Sequence, residues 1–118
     1  MNGLAAGSGA DATTLPLSHG PLPADDVVSG APTTAVHELG ELDGVGIGVW
    51  EMTPGTATDT EADEVFVVLS GRARIDFTSP ALPPLEVGPG SVVRLAAGMR
   101  TTWTVTETLR KIYLTPAS

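Results

Sequence analysis

The stretch Asp63-Glu64-Val65-Phe66-Val67-Val68-Leu69-Ser70-Gly71 decides the fold. Branched and aromatic residues fill five consecutive positions and stop at a Ser-Gly turn signal, which reads as a strand. Side chains alternate along a strand, so Glu64, Phe66 and Val68 share one face and Val65, Val67 and Leu69 the other. If that face is the buried one, a carboxylate on it needs a partner there. The pattern resumes at once in Arg72–Thr78.

Outward from this stretch the same unit recurs. Predicted strands cover Ala35–Leu39, Val45–Thr53, Glu64–Leu69, Arg72–Thr78, Leu85–Val87, Ser91–Leu95, Thr101–Thr106 and Arg110–Thr115. Turn signals separate them: Pro54-Gly55, Ser70-Gly71, Gly88-Pro89-Gly90 and Ala96-Ala97-Gly98. Gly and Pro supply 24 of the 118 residues (14 Gly and 10 Pro) and are spread evenly, which opposes long helices. No window shows an apolar stripe of helical period. Eight short strands with regular glycine turns predict an all-β antiparallel barrel or sandwich in one domain, residues 31–118. Residues 1–30, rich in Ala, Gly, Ser, Pro and Asp, predict a flexible or extended N-terminal arm dotted with Leu15, Leu17, Leu22, Val27 and Val28.

Charge is unevenly placed. Residues 1–71 hold 11 of the 14 acids and no Lys or Arg, while Arg72, Arg74, Arg94, Arg100, Arg110 and Lys111 all follow. A net charge of −8 without a basic stripe argues against a nucleic-acid partner. No apolar run approaches the roughly 20 residues of a membrane span, so no membrane partner is expected. Without cysteine there is no disulfide, thiolate metal site or cysteine nucleophile. The first residues lack the basic start and apolar stretch of a signal peptide, and a cytoplasmic location is the expectation.

Three stretches together resemble a known family: Gly48-Val-Trp-Glu-Met-Thr-Pro-Gly55, Asp63 to Gly71, and Gly88-Pro-Gly-Ser-Val-Val-Arg-Leu-Ala-Ala-Gly98. They look like a cupin, over roughly residues 30–115. The ending, with Trp103, Glu107 and Arg110-Lys111-Ile112-Tyr113, resembles the small single-domain branch related to (S)-ureidoglycine aminohydrolase. The resemblance implies a double-stranded β-helix, a jelly-roll barrel with its pocket inside, and commonly a homodimer.

The resemblance also locates the usual metal ligands, and these are replaced. In the first motif, anchoring on Gly71 puts the usual Glu at Glu64 and the two histidine positions at Thr58 and Thr60, or Ala57 and Asp59. Anchoring on Gly55 instead puts them at Glu61 and Asp63. The third histidine position falls on Thr101. No cofactor is therefore expected; a divalent metal would have to bind without the histidine ligands that normally hold it. The acid run Asp59 to Glu64 reads as a solvated loop or strand edge.

Seven residues are candidates for the site. Glu64, Lys111 and Tyr113 are expected to form a polar cluster on the pocket wall, because Lys111 is the only lysine and Tyr113 shares its strand face. Trp103, on the face of Thr101, suits stacking on a planar ligand, and Phe66 accompanies Glu64. Glu51 follows Trp50 and so faces the opposite side of its strand, yet the resembling branch keeps both. The expected function is a metal-poor barrel that binds a small molecule. The alternative implied by the resemblance is a hydrolase of a small nitrogenous metabolite, with Glu64 as general base and Lys111 or Tyr113 polarising the substrate.

Overall fold

A computed structural model describes residues 4–116. Residues 1–3 of the predicted arm and residues 117–118 of the predicted domain lie outside the described residues. The strands are β1 (Gly20–Pro21), β2 (Val27–Ser29), β3 (Thr33–Leu42), β4 (Val45–Met52), β5 (Gly55–Thr60), β6 (Glu64–Ser79), β7 (Ala81–Val87), β8 (Val92–Leu95) and β9 (Arg100–Pro116). A single 3-10 turn, Ala24–Asp26, precedes β2. Among the described residues there is no α-helix, and no helix long and apolar enough to cross a membrane.

Two long strands organise the barrel. The first half of β9 lies between β5 and the second half of β6, and its second half lies between β4 and the first half of β6. All pairs are antiparallel. Sharing β6 and β9 joins an order β1-β3-β4-β9-β6-β8 to an order β2-β5-β9-β6-β7, and the curled result is a jelly-roll barrel. The predicted all-β architecture is thus the observed one, with differences in how the strands divide. The predicted pair Glu64–Leu69 and Arg72–Thr78 is one strand, as is the pair Thr101–Thr106 and Arg110–Thr115.

The reason is a bulge rather than a turn. The β6–β9 register slips between Val68 and Ala73, where Gly71 adopts φ +90°. A Cβ on Gly71 would overlap the Thr108 carbonyl oxygen, so the two backbones approach this closely only with glycine there. The slip changes which residues face inward. Phe66 and Val68 point into the barrel before it, Ala73 and Ile75 after it, and all four are buried in the core with Leu95, Val105 and Leu109.

The N-terminal segment runs along the barrel. β1 pairs with the start of β3, and β2 pairs with β5. Between them, Leu22 packs against the core cluster. Further upstream, Arg110 reaches outward from β9. Its Nη1 donates to the carbonyl oxygens of Ala12 and Leu15, at 2.9 Å each.

Candidate functional site

Strand parity builds the site. On β4, Trp50 and Met52 point inward, and on β9, Trp103, Lys111, Tyr113 and Thr115 do the same. With Glu64 at the head of β6, Asp59 and Glu61 at the end of β5, and Leu22 and Asp26 from the N-terminal segment, they line a cavity of about 310 Å³. That size suits a small metabolite. Most of the exposed lining is apolar, with Trp50 and Trp103 in the wall, and the charged groups on it are Asp26, Asp59, Glu61, Glu64 and Lys111.

Lys111 forms the floor. Its Nζ donates to Glu64 Oε2 at 2.7 Å. The same ammonium lies over three rings, 4.2 Å from the centroid of Phe66, 4.5 Å from Trp50 and 4.9 Å from Trp103. The rings support one another, with centroids 5.8 Å apart for Trp50 and Trp103 and 5.6 Å for Phe66 and Trp103. A buried ammonium is costly unless it is paired, and here both a carboxylate and the negative faces of three rings compensate it. Tyr113 lines the cavity wall beyond the pair. Burial, with the charges of Glu38 and Glu64, pushes its phenol above the ordinary range. Gly48 on β4 lies opposite Tyr113, and a Cβ there would overlap the phenol ring.

The structure therefore brings Glu64, Lys111, Tyr113 and Trp103 to one cavity, with Phe66 packed beneath the ammonium. Thr101 sits one step away. It is 2 % exposed, faces the neighbouring groove, and donates to Glu61 Oε2 at 2.6 Å. Glu51 is not at the cavity. It faces the outer side of β4, where Oε2 accepts from Arg110 Nε and Oε1 meets His19 Nε2, both at 2.7 Å. Desolvation opposes its charge, but the hydrogen bonds from Arg110 and His19 prevail and hold the carboxyl below its usual range. Since His19 also bonds Thr33 at 2.9 Å, this cluster fastens the N-terminal segment to the barrel.

The residues that sequence reasoning missed are Glu61 and Asp59. The acid run is a solvated edge only in part: Asp59 and Thr60 are exposed where β5 pairs with β9 alone, but Glu61 is 8 % exposed. Glu61 Oε2 accepts from Trp103 Nε1 at 3.0 Å as well as from Thr101. Asp59 as a whole residue is exposed, yet it lines the cavity beside Glu61. Desolvation first, then the Glu61 charge, pushes its carboxyl up to about 6, with Lys111 pulling the other way. One signal pointed to this pair, because the two alternative anchors of the first motif fall on Asp59 and Glu61.

The donor set does not match a divalent transition metal. No imidazole lines the cavity, and among the described residues no three His, Asp or Glu side chains converge as a metal site. Glu64 is held by an ammonium, whose positive charge opposes a second cation beside it, and the third histidine position is a hydroxyl committed to Glu61.

Barrel, register and pocket together define a cupin. The EutQ-like cupin domain description matches residues 39–113, and the chain belongs to that family. No curated protein matches the sequence. Among solved structures, a protein of unknown function from Pseudomonas syringae pv. tomato is 25% identical with a TM-score of 0.71, over 86% of this chain and 44% of that one. This chain thus spans less than half of that relative. The Clostridium difficile EutQ protein is 20% identical at TM-score 0.67, over 89% and 82% of the two chains. A putative ethanolamine utilization protein Q from Salmonella typhimurium is 14% identical at TM-score 0.63, over 89% and 99%. The last two likenesses concern the fold.

Proposed function

We propose that this cupin barrel binds a small organic molecule in its aromatic cavity without using a metal. One observation carries the reading: where other cupins gather imidazoles around an ion, Lys111 holds a positive charge inside a box of Trp50, Phe66 and Trp103. The Lys111–Glu64 pair gives the floor a fixed polarity, the indoles give flat walls, and Tyr113 offers a hydroxyl. In this reading the protein is a cytoplasmic homodimer, with the fastened N-terminal segment supplying part of the cavity wall through Leu22 and Asp26.

Both tryptophans of the chain face the cavity, so emission reports directly on its occupancy. A screen of small metabolites against chelator-treated protein should yield a ligand that shifts emission saturably and raises the melting temperature by mass action. Saturation that requires an added divalent metal would overturn the proposal.

A second reading, hydrolysis of a small nitrogenous metabolite as in ureidoglycine aminohydrolase relatives, draws support from the Asp59 carboxyl near 6 beside Glu61. A base poised near the working pH can move protons in both directions. In that reading Asp59 replaces Glu64 as the base, because Glu64 is committed to Lys111. Loss of ammonia release from ureidoglycine in Asp59→Asn, with none lost in a surface control, is the result it requires.

A further inference from the structure

The barrel wall is split beside the cavity. β4 and β5 pair with different halves of the same edge of β9, so beyond β9 the wall divides into β4–β3 and β5–β2. Thr34 and Val36 on one flank of the split line the cavity, as do Ala57 and Thr58 on the other. Residues 20–29 cross from flank to flank, with β1 on the start of β3 and β2 on β5. Midway, Leu22 packs against the core cluster and lines the cavity.

This crossing is lightly attached. β1 is two residues long, and Pro21 has no N–H to donate to β3. The β2–β5 register shifts between Val27 and Ser29. The turn between β1 and β2 is bonded to itself: the Asp26 N–H donates to the Pro23 carbonyl at 2.9 Å, and the Val27 N–H to that of Ala24. Among the described residues, the side-chain bond from the barrel to this turn is a long one, from Thr58 Oγ1 to the Asp26 carbonyl at 3.4 Å. Lifting the turn therefore disrupts little besides the Leu22 contact. Its approaches are fixed by contrast. Upstream, His19 bonds Glu51 and Thr33, and downstream the Pro32 ring lies against Gly55.

We propose that residues 20–29 are the gate of the cavity: the turn that carries Leu22 swings away from the split to admit a ligand, then closes Leu22 down over it. The proposal goes beyond the binding reading, since it concerns how the cavity opens and not what it takes. Gly20 and Gly30 bracket the moving part, and Gly30 sits at φ +76°, a conformation glycine enters without strain. Pro21 and Pro23 stiffen the chain on either side of Leu22, so the turn moves as a unit. Segments with few ladder bonds open at lower free energy than core strands. β4, on the other flank of the cavity, is paired along its whole length on both sides and stays in place.

The test uses thiol labelling of the full chain, which has no cysteine of its own. Ala57→Cys and Met52→Cys each place one thiol on a buried cavity wall, one on each flank of the split, so either serves if the other fails to fold. Val93→Cys places a thiol in the core away from the cavity as the control. Each is labelled with the neutral reagent dithiodipyridine over a range of low urea concentrations. The two cavity thiols should react slowly, at rates that depend on urea much less than the control's, because opening the gate exposes little surface. Leu22→Ala should speed both by at least about fivefold and leave Val93→Cys unchanged. Equal acceleration of all three thiols, or no acceleration at the cavity, overturns the gate. So does a urea dependence as steep as the control's, or labelling of the cavity thiols as fast as in the unfolded chain. No ligand enters this experiment, so a silent metabolite screen removes the binding reading alone, and a failed labelling test removes the gate alone.

Discussion

Lys111 Nζ stands 2.7 Å from Glu64 Oε2, and the two side chains are only 6 % and 15 % exposed. The pair joins β9 to the head of β6 across 47 positions of sequence. Removing one partner leaves the other charged, buried and surrounded by rings. Lys111→Met should therefore destabilise the fold by about 3–5 kcal/mol. Adding Glu64→Gln to Lys111→Met should recover part of that loss, a coupling that chemical denaturation of the four-member mutant cycle measures. Additive losses would show that the two groups do not compensate one another.

Asp59 predicts a pH dependence with a definite sign. Its folded-state carboxyl, at about 6, lies above the ordinary value of 3.8. The folded state thus holds the proton more tightly than the unfolded chain. The stabilisation from this group is fully present below about 3.8 and is lost as the pH rises through about 6. Asp59→Asn should match the parent's melting temperature near the low end of that window and exceed it at neutral pH. Glu51 acts in the opposite sense, because its lowered carboxyl contributes stability that disappears as the pH falls. The acid limb of the melting profile should accordingly survive in Asp59→Asn.

Gly48 exists at its position because Tyr113 lies across it. Gly48→Ala should cost about 1–3 kcal/mol by overpacking. In a Tyr113→Ala background the same methyl group should cost almost nothing, since the ring it meets is gone. Thermal denaturation of both backgrounds checks this, and an equal cost in each would place the strain elsewhere.

Arg110 is the clasp of the N-terminal segment, through two carbonyls and Glu51. Arg110→Ala should raise hydrogen exchange in residues 4–22 while leaving exchange in β6 and β8 unchanged. Exchange that rises uniformly would instead make Arg110 a support of the whole barrel.

Much of this architecture is legible in the sequence because strand parity is a local rule. Glu64 with Phe66 and Val68, and Lys111 with Tyr113, follow from a period of two and are found on the inner face as expected. The same rule puts Trp50 and Glu51 on opposite sides of β4, which is how Glu51 comes to serve the N-terminal segment instead of the cavity. What the rule misses depends on distant partners. β5 reads Gly-Thr-Ala-Thr-Asp-Thr, a polar run whose place in the barrel is set by its distant partners β2 and β9, and Glu61 just after it looks solvated until Thr101 and Trp103 close over it. Likewise Gly71 signals a turn locally, and only the Thr108 backbone opposite reveals a bulge within one strand. The charge asymmetry had the same character. The base-free first part of the chain meets the basic remainder through Glu51–Arg110, Asp63–Arg94 and Glu64–Lys111.

The central claim is that Lys111 and its aromatic box take the place of a metal in this barrel. Elemental analysis of untagged protein, before and after chelation, tests it most directly. The account predicts transition metal well below one equivalent per chain, with the melting temperature unchanged by chelator. One tightly held equivalent per chain, whose removal lowers the melting temperature and which Glu61→Gln no longer binds, would contradict it.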